Sequence, residues 1–279
     1  MRILTELQQR NLLCEGAIGT QLQKHCSLVP LDLANERQPD LVRGLHQAYL
    51  NGGADILTTN TFRAVTLNNY RQIVERGIEL ARLVKPAFIA LSIGPAGLAQ
   101  CTEKQSDLLL KRFSDIGRLA ETHMVDLLLL ETYYDLKELA AVAELLSPIK
   151  VPLFVSLSLQ PDGRTFAGES FECVIEELRQ LKVDGIGLNC MTLSSDVIAL
   201  AMKLRSQIDL PLIVQGNAGI PKQSEEGWRF PVSDQRFSEL LEPLYQLDSV
   251  IIGGCCGTSP KTIQEIRKRG DDIWKINNG

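Results

Sequence analysis

Short apolar runs recur along the chain, and the segments between them have a helical distribution of hydrophobic residues. The runs are apolar throughout rather than alternating with polar residues. Continuous apolar character is typical of strands that are buried on both faces of a parallel sheet. The predicted strands cover residues 11–15, 55–60, 88–94, 126–131, 151–159, 185–190, 211–217 and 249–254.

The intervening segments predict helices. In PDLVRGLHQAYLNGG, the residues Leu41, Leu45 and Ala48 fall on one stripe, and a glycine pair ends the segment. Eight alternations of strand and helix in 279 residues predict an α/β fold, a single (β/α)8 TIM-type barrel that forms one domain over residues 1–279. A doubly wound open sheet is the alternative, although the first strand-to-helix turn, CEGAIGTQL, lacks a GxGxxG dinucleotide fingerprint.

Two longer irregular segments, 21–39 and 217–232, follow the first and seventh predicted strands. Both belong to the carboxyl-end face, where barrel enzymes build their active sites. The acidic pair Glu225-Glu226 in the second segment is expected to be solvated surface.

Composition narrows the range of partners and compartments. The net charge is −5 and the basic residues are scattered, so nucleic acid is not expected as a partner. The amino-terminal residues lack the apolar core of a signal peptide, and no apolar stretch is long enough to span a membrane. Seven widely spaced cysteines in a chain of this size indicate reduced thiols. We therefore expect a cytoplasmic protein without a membrane partner.

Polar and thiol side chains gather at the ends of the predicted strands. In a (β/α)8 barrel these ends meet at one face, so their side chains are expected to share a site. The residues in question are Glu15, Asn60, Glu131, Cys190, Asn217, Cys255 and Cys256.

The three strand-end cysteines predict a metal site. Neighbouring residues of a regular strand point to opposite faces, but the glycines around Cys255-Cys256 allow the backbone to leave that geometry. Cys190 ends the sixth strand, about 10 Å from the eighth at the usual strand spacing. Three thiolates favour zinc and leave its fourth position open, as in catalytic sites. The alternatives are a vicinal disulfide or buried core cysteines.

An all-thiolate zinc site favours the binding of another thiol over hydrolysis. A thiol that coordinates zinc loses its proton yet remains nucleophilic. This chemistry is suited to alkyl transfer onto sulfur. The scarcity of histidine argues against a metal-dependent barrel hydrolase.

The motifs resemble those of the homocysteine S-methyltransferase family. From about residue 11 to residue 268 the chain contains, in order, EGAIGTQL, GADILTTNTF, SIGPAG, LLLLETYYDLKEL, GLNC, GNAG and GGCCGTSP. The resemblance implies a (β/α)8 barrel that binds Zn²⁺ through Cys190, Cys255 and Cys256. It also implies homocysteine as the methyl acceptor and methionine as the product.

The resemblance further implies the substrate contacts. Glu131 would receive the homocysteine ammonium group, and the backbone around Gly16 and Ala17 would bind the carboxylate. Thr59 and Asn60 of the TNT turn would assist. Glu15 is a further implied substrate contact; it stands where the family usually has Asp, so its carboxylate reaches one methylene further.

The methyl donor is less defined by the sequence. A betaine donor would require an aromatic cage, and residues 20–47 contain no Trp, Tyr or Phe. A sulfonium donor, S-methylmethionine or S-adenosylmethionine, is favoured. The alternatives are a homocysteine-activating subunit that receives methyl from a separate methyl-corrinoid or folate protein, and a non-catalytic zinc or redox thiol protein.

Overall fold

The apolar runs form strands in the structure, a computed structural model that describes residues 1–224 and 227–278. The Glu225-Glu226 pair lies outside these residues. All eight predicted strands are present with slightly shifted ends, and a short hairpin that the sequence did not indicate follows the seventh. The strands are β1 (Leu12–Leu13), β2 (Ile56–Thr58), β3 (Phe88–Ile93), β4 (Leu127–Tyr133), β5 (Leu153–Leu157), β6 (Gly185–Thr192), β7 (Leu212–Asn217), β8 (Lys222–Ser224), β9 (Gly227–Arg229) and β10 (Val250–Gly254).

The strands close into a barrel. Over the described ranges, eight of them form one parallel sheet in the order β1-β10-β7-β6-β5-β4-β3-β2. The two ends of this order meet through a parallel bridge between Cys14 and Ile56. This architecture confirms the predicted (β/α)8 barrel and excludes the open sheet. Strands β8 and β9 pair with each other as a separate antiparallel hairpin.

Helices surround the barrel on its outer side, with the exception of the first. Their bounds are α1 (Arg2–Leu7), α2 (Gly19–Leu22), α3 (Ala34–Arg37), α4 (Pro39–Asn51), α5 (Tyr70–Leu83), α6 (Glu103–Thr122), α7 (Leu136–Leu146), α8 (Phe171–Gln180), α9 (Ser195–Gln207), α10 (Asp234–Leu240) and α11 (Pro260–Asn278). In α1, Ile3 and Leu7 instead pack against the cluster that fills the barrel interior. The segment 21–39, expected to be irregular, contains α3 and a 3-10 turn at Leu31–Leu33. Among the described residues, no helix combines the length and the apolar character needed to cross a bilayer.

The core has two parts, separated by the barrel wall. The larger part lies between the strands and the helices, and the smaller fills the barrel interior with residues such as Ile56, Phe88, Phe154 and Ile213. Inward-facing residues alternate along each strand. The apolar layer therefore fills the barrel near the amino ends of the strands, here called the lower barrel. The next inward position on each strand lies closer to the carboxyl end.

A repeated aspartate clip joins pairs of strands at the base of the barrel. Asp55, Asp126 and Asp184 each precede a strand and accept a hydrogen bond, at 2.8–2.9 Å, from a backbone N–H of the strand before it. In each pair, the aspartate N–H also donates to the carbonyl of the same partner residue. The partner of Asp184 is Leu153, and both of its backbone groups are thereby satisfied.

Removing one clip should destabilise the barrel measurably. We expect Asp184→Ala to lower the free energy of unfolding by about 1–2 kcal/mol, because the Leu153 N–H is left without its acceptor. Asp184→Asn keeps an acceptor oxygen and should lose less than half as much. Urea unfolding followed by circular dichroism measures both. Equal losses in the two variants would contradict the clip.

Candidate metal and substrate site

The three predicted metal ligands lie together at the carboxyl end of the barrel. The Sγ atoms of Cys190, Cys255 and Cys256 are all within 4.8 Å of one another, and the Cys190–Cys256 pair is 3.9 Å apart. All described cysteines are free thiols. The vicinal disulfide considered from the sequence is therefore not formed in this structure.

Local backbone geometry allows two consecutive cysteines to face one point. Strand β10 ends at Gly254, so Cys255 and Cys256 lie in the turn that follows it. Gly257 continues this turn with φ of +85°, a conformation that favours glycine. Cys190 has φ of +56° and lies where the β6–β7 register shifts. Departures from regular strand geometry on both sides thus aim the three thiols at each other.

Asn217 ties the two cysteine-bearing segments together. Its Nδ2 donates to the Cys190 carbonyl at 2.9 Å, and its Oδ1 accepts from the Cys256 N–H at 2.9 Å. Asn217 ends β7, the strand between β6 and β10. Both contacts are to backbone atoms, and Nδ2 also lies 3.8 Å from Cys190 Sγ, so the side chain positions the two cysteine backbones and one of the thiols.

The thiol spacing fits a tetrahedral metal ion. Zn–S bonds of about 2.3 Å at tetrahedral angles separate sulfur atoms by about 3.8 Å. Hydrogen bonds with Cys190 and Cys255 lower the pKa of the Cys256 thiol. Hydrogen bonds with Cys190 and Cys256 raise the pKa of the Cys255 thiol. The pKa of Cys190 is raised to about 11, so the thiolate character belongs to Cys256, and a soft cation would extend it to the other two sulfurs.

Glu131 lies near the thiols in a network that sets its direction. Its carboxylate accepts a hydrogen bond from the Ser92 hydroxyl, and Asn189 Nδ2 approaches the other oxygen at 3.4 Å. Asn189 also accepts from the Thr132 N–H at 2.9 Å. Burial raises the pKa of Glu131 to about 7, and the negative charges of Cys190 and Glu15 act in the same direction.

Glu15 does not line the cavity, although the sequence places it among the substrate contacts. It is fully buried, and one carboxylate oxygen accepts from the Thr58 N–H at 2.7 Å and from the Thr58 hydroxyl at 2.5 Å. The other oxygen lies 3.3 Å from His46 Nδ1. The carboxylate is thus engaged within the barrel wall. The sequence did not indicate the His46 partner, because 31 residues separate the two.

The other predicted site residues line one cavity of about 600 Å³. Part of this wall is already hydrogen-bonded: the Ala17 N–H donates to Thr258 Oγ1 at 3.0 Å, and Asn60 Nδ2 donates to the Leu31 carbonyl at 2.9 Å. The predicted residues that share the cavity are Gly16, Ala17, Thr59, Asn60, Glu131, Cys190, Cys255 and Cys256.

Sequence reasoning missed several polar residues of the cavity or its immediate surroundings. Ser92 and Gln215 line the cavity, and Asn189 orients Glu131 and Thr132 from the wall beside them. The alternation of side chains along a strand was the signal that could have identified them. Each of these residues lies two positions from another inward-facing residue of its own strand. Asp32, a buried lining residue from the segment 21–39, gave no such signal.

A comparison with protein families matches residues 12–269 to the homocysteine S-methyltransferase family. Among curated proteins, the methionine synthase of Mycobacterium leprae is 27% identical over 298 aligned positions, and that of Mycobacterium tuberculosis is 26% identical. The alignments cover 95% of this chain but only 24% and 25% of those proteins. The chain thus spans about a quarter of their length.

Solved structures of a homocysteine methyltransferase have the same fold as this chain. The apo form of the homocysteine methyltransferase MmuM from Escherichia coli superposes with a TM-score of 0.72 at 25% identity, covering 96% of this chain and 98% of that one. The metallated form of MmuM gives a TM-score of 0.76 at 24% identity, covering 96% and 99%. At 24% identity, the match to the metallated form is evidence for the fold of this chain and for nothing further.

Ionisation of Glu131 should make metal-free protein less stable as pH rises. Because folding raises this pKa from 4.5 to about 7, the folded state retains a proton between these values that the unfolded state has lost. Stability should therefore fall through this window, by about 2–3 kcal/mol, and level off above it.

Glu131→Gln should lack this part of the pH dependence. The measurement is urea unfolding of both proteins at pH 5 and pH 8, with chelator and reductant present. Titrating groups that do not interact with Glu131, such as Asp32, are common to both proteins and cancel in the comparison. An identical change from pH 5 to pH 8 would contradict the raised pKa.

Proposed function

The chain belongs to the homocysteine S-methyltransferase family, and we propose that its cavity binds homocysteine beside the three cysteines and transfers a methyl group to the thiol, giving methionine. The family assignment confirms the enzyme class expected from the sequence. The observation that carries the proposal is the cluster of Cys190, Cys255 and Cys256 on the wall of a cavity large enough for an amino acid and a second reactant.

The three cysteines would hold a zinc ion. Zinc bound there would supply an open coordination position and a lowered pKa for an entering thiol. Asn217 orients two of the cysteines through their backbone groups. The chain would need little acid–base machinery for this reaction. The homocysteine thiol would release its proton to solvent on binding, and its sulfur would bond to the methyl carbon as the methyl–sulfur bond of a sulfonium donor breaks, releasing a neutral thioether.

The remaining residues would position the substrate. We propose that Glu131, ionised, receives the homocysteine ammonium group, and that the Gly16-Ala17 turn with Thr59 and Asn60 faces the carboxylate end. The Ser92 hydroxyl and the Asn189 amide support this by fixing the Glu131 carboxylate. Glu15 would act through Thr58, whose backbone and hydroxyl it binds, rather than by touching substrate.

We propose a sulfonium compound, S-methylmethionine or S-adenosylmethionine, as the donor. Phe62 is the one aromatic residue among the described residues of the cavity lining, so the described wall offers no aromatic cage for a quaternary ammonium ion. Asp32, with a pKa raised to about 6 by burial, contributes a negative charge to the same wall at neutral pH. That charge favours a cationic donor.

A methyl-corrinoid protein is the second candidate donor. The similarity to two methionine synthases favours it, because the chain corresponds to about a quarter of each. In this case the protein would be the homocysteine-activating subunit of a larger system.

We further propose that residues 1–279 act as one domain. We also propose that the protein is cytoplasmic, since its described cysteines are free thiols.

Metal content tests the cysteine site directly. Protein purified under reducing, oxygen-free conditions should contain about one zinc per chain, and Cys256→Ala should lose most of it, because two thiolates bind zinc far more weakly than three. Cys173→Ala, which removes an exposed thiol on α8, is the matched control and should retain the metal. Absence of zinc from both wild-type and control protein would refute the site.

Methionine formation tests the reaction. Zinc-loaded protein with homocysteine should produce methionine from S-methylmethionine or S-adenosylmethionine, and Cys256→Ala should reduce the rate by about a hundredfold or more. Methionine formed only with a methylated corrinoid protein would establish the second candidate donor. Zinc binding without methionine from any donor would leave a non-catalytic zinc or redox thiol protein.

A further inference from the structure

Gln215 occupies an inward position just below the cysteine cluster. Strand β7 alternates so that Ile213, Gln215 and Asn217 share the face that looks into the barrel. Ile213 belongs to the apolar interior and Asn217 binds the cysteine-bearing segments. Gln215 is 4% exposed and lines the cavity between these two levels.

The nitrogen of the Gln215 amide is directed across the neighbouring strand. Nε2 lies 3.6 Å from the Sγ of Cys14, within hydrogen-bonding range of a sulfur acceptor. Gly253 lies between them, paired in register with Gln215 on β10. A Cβ at Gly253 would lie 2.9 Å from the Cys14 Cβ, so the missing side chain opens this path. The contact with Cys14 fixes the orientation of the amide.

The oxygen of the same amide has no partner. Gln215 Oε1 is buried and accepts no hydrogen bond within the described part of the chain. Buried polar atoms of folded proteins are nearly always hydrogen-bonded, because an unmet acceptor costs stability. Oε1 itself has almost no exposed surface, but Gln215 lines the cavity, so a ligand donor that packs against this wall would satisfy it.

Gln215 belongs to a ring of polar side chains around the barrel interior, here called the inner belt: Ser92, Glu131, Asn189, Gln215 and Cys14. Ser92 and Asn189 both donate to Glu131, and Asn189 is the register partner of Gln215 on β6. The Asn189 amide oxygen accepts from the Thr132 N–H. Among the carboxylate and amide oxygens of the inner belt, those of Glu131 and Gln215 remain for a ligand.

Only the ammonium group of bound homocysteine can donate hydrogen bonds to the Glu131 and Gln215 oxygens. The thiol loses its proton at the cysteine site, and the carboxylate has no proton to donate. The ammonium group has three N–H donors and a positive charge that the carboxylate and the thiolates favour. A single carboxylate does not satisfy three donors, so a second acceptor on the same belt complements it.

We propose that Gln215 Oε1 accepts a hydrogen bond from the ammonium group of homocysteine, alongside Glu131, and that this contact makes the site select thiols with a primary amine. The inference rests on the proposed binding of homocysteine. Gln215 is thus a specificity-determining residue that acts on the substrate and not on the metal.

Calorimetric titration of zinc-loaded protein with three thiols tests this. The ligands are homocysteine, 4-mercaptobutanoate, which lacks the ammonium group, and 3-aminopropane-1-thiol, which lacks the carboxylate. Gln215→Met preserves length without the acceptor and should weaken binding of homocysteine and of the aminothiol about tenfold or more. Binding of 4-mercaptobutanoate and zinc content should not change.

Ser156→Ala is the matched control. Ser156 Oγ is likewise buried without a partner among the described residues, but Ser156 does not line the cavity. This variant should bind all three thiols as wild type does. Equal weakening of all three ligands by Gln215→Met, weakening only of the two carboxylate thiols, or loss of zinc would overturn the assignment to the ammonium group.

The same experiment separates this inference from the function on which it rests. Wild-type protein that contains zinc yet binds none of the thiols overturns the proposed function, and the role of Gln215 with it. Tight binding of homocysteine by both wild type and Gln215→Met overturns the role of Gln215 and leaves the proposed function intact.

Discussion

The two hydrogen bonds of Asn217 are the interaction on which the site depends. They join the carbonyl of Cys190 to the N–H of Cys256 through one side chain at the end of β7. The cysteines come from segments on either side of that strand, so they meet only while β6, β7 and β10 remain in register. The thiol cluster and this part of the barrel wall therefore depend on the same residues.

The sequence predicted the elements better than the directions of side chains. Apolar runs located every barrel strand, because burial on both faces leaves an unbroken signal. The thiol site was also predictable, since strand ends of a barrel converge. The pairing of Glu15 with His46 and the inward aim of Gln215 were not, because both depend on contacts between residues far apart in the chain. The β8–β9 hairpin lacked an apolar pattern altogether.

The barrel interior is divided between stability and function. Its lower layer is apolar, whereas the inner belt above it contains two buried amides, Asn189 and Gln215, and the half-buried carboxyl group of Glu131. Thr132 and Cys190 have positive φ angles of 62° and 56°. Asn189 accepts a hydrogen bond from the Thr132 N–H and immediately precedes Cys190 in the chain. Such conformations cost free energy and persist only where their surroundings impose them. These two strained residues and the unpaired Gln215 oxygen lie at the carboxyl end, where ligand binding would offset their cost. Positive φ also occurs before strands at the opposite end, at Lys85, Met124 and Ser249.

The aspartate clips at the opposite end bear on how the barrel assembles. Each joins strands that are consecutive in the chain, over separations of 42, 37 and 31 residues. A strand–helix–strand unit can therefore lock its own base before the rest of the wall exists, at a small cost in loop-closure entropy. By contrast, Asn11 bonds Val250 across 239 residues. The lower wall thus combines short-range modules with long-range contacts, and the bond between Asn11 and Val250 lies where the first and last strands of the barrel meet.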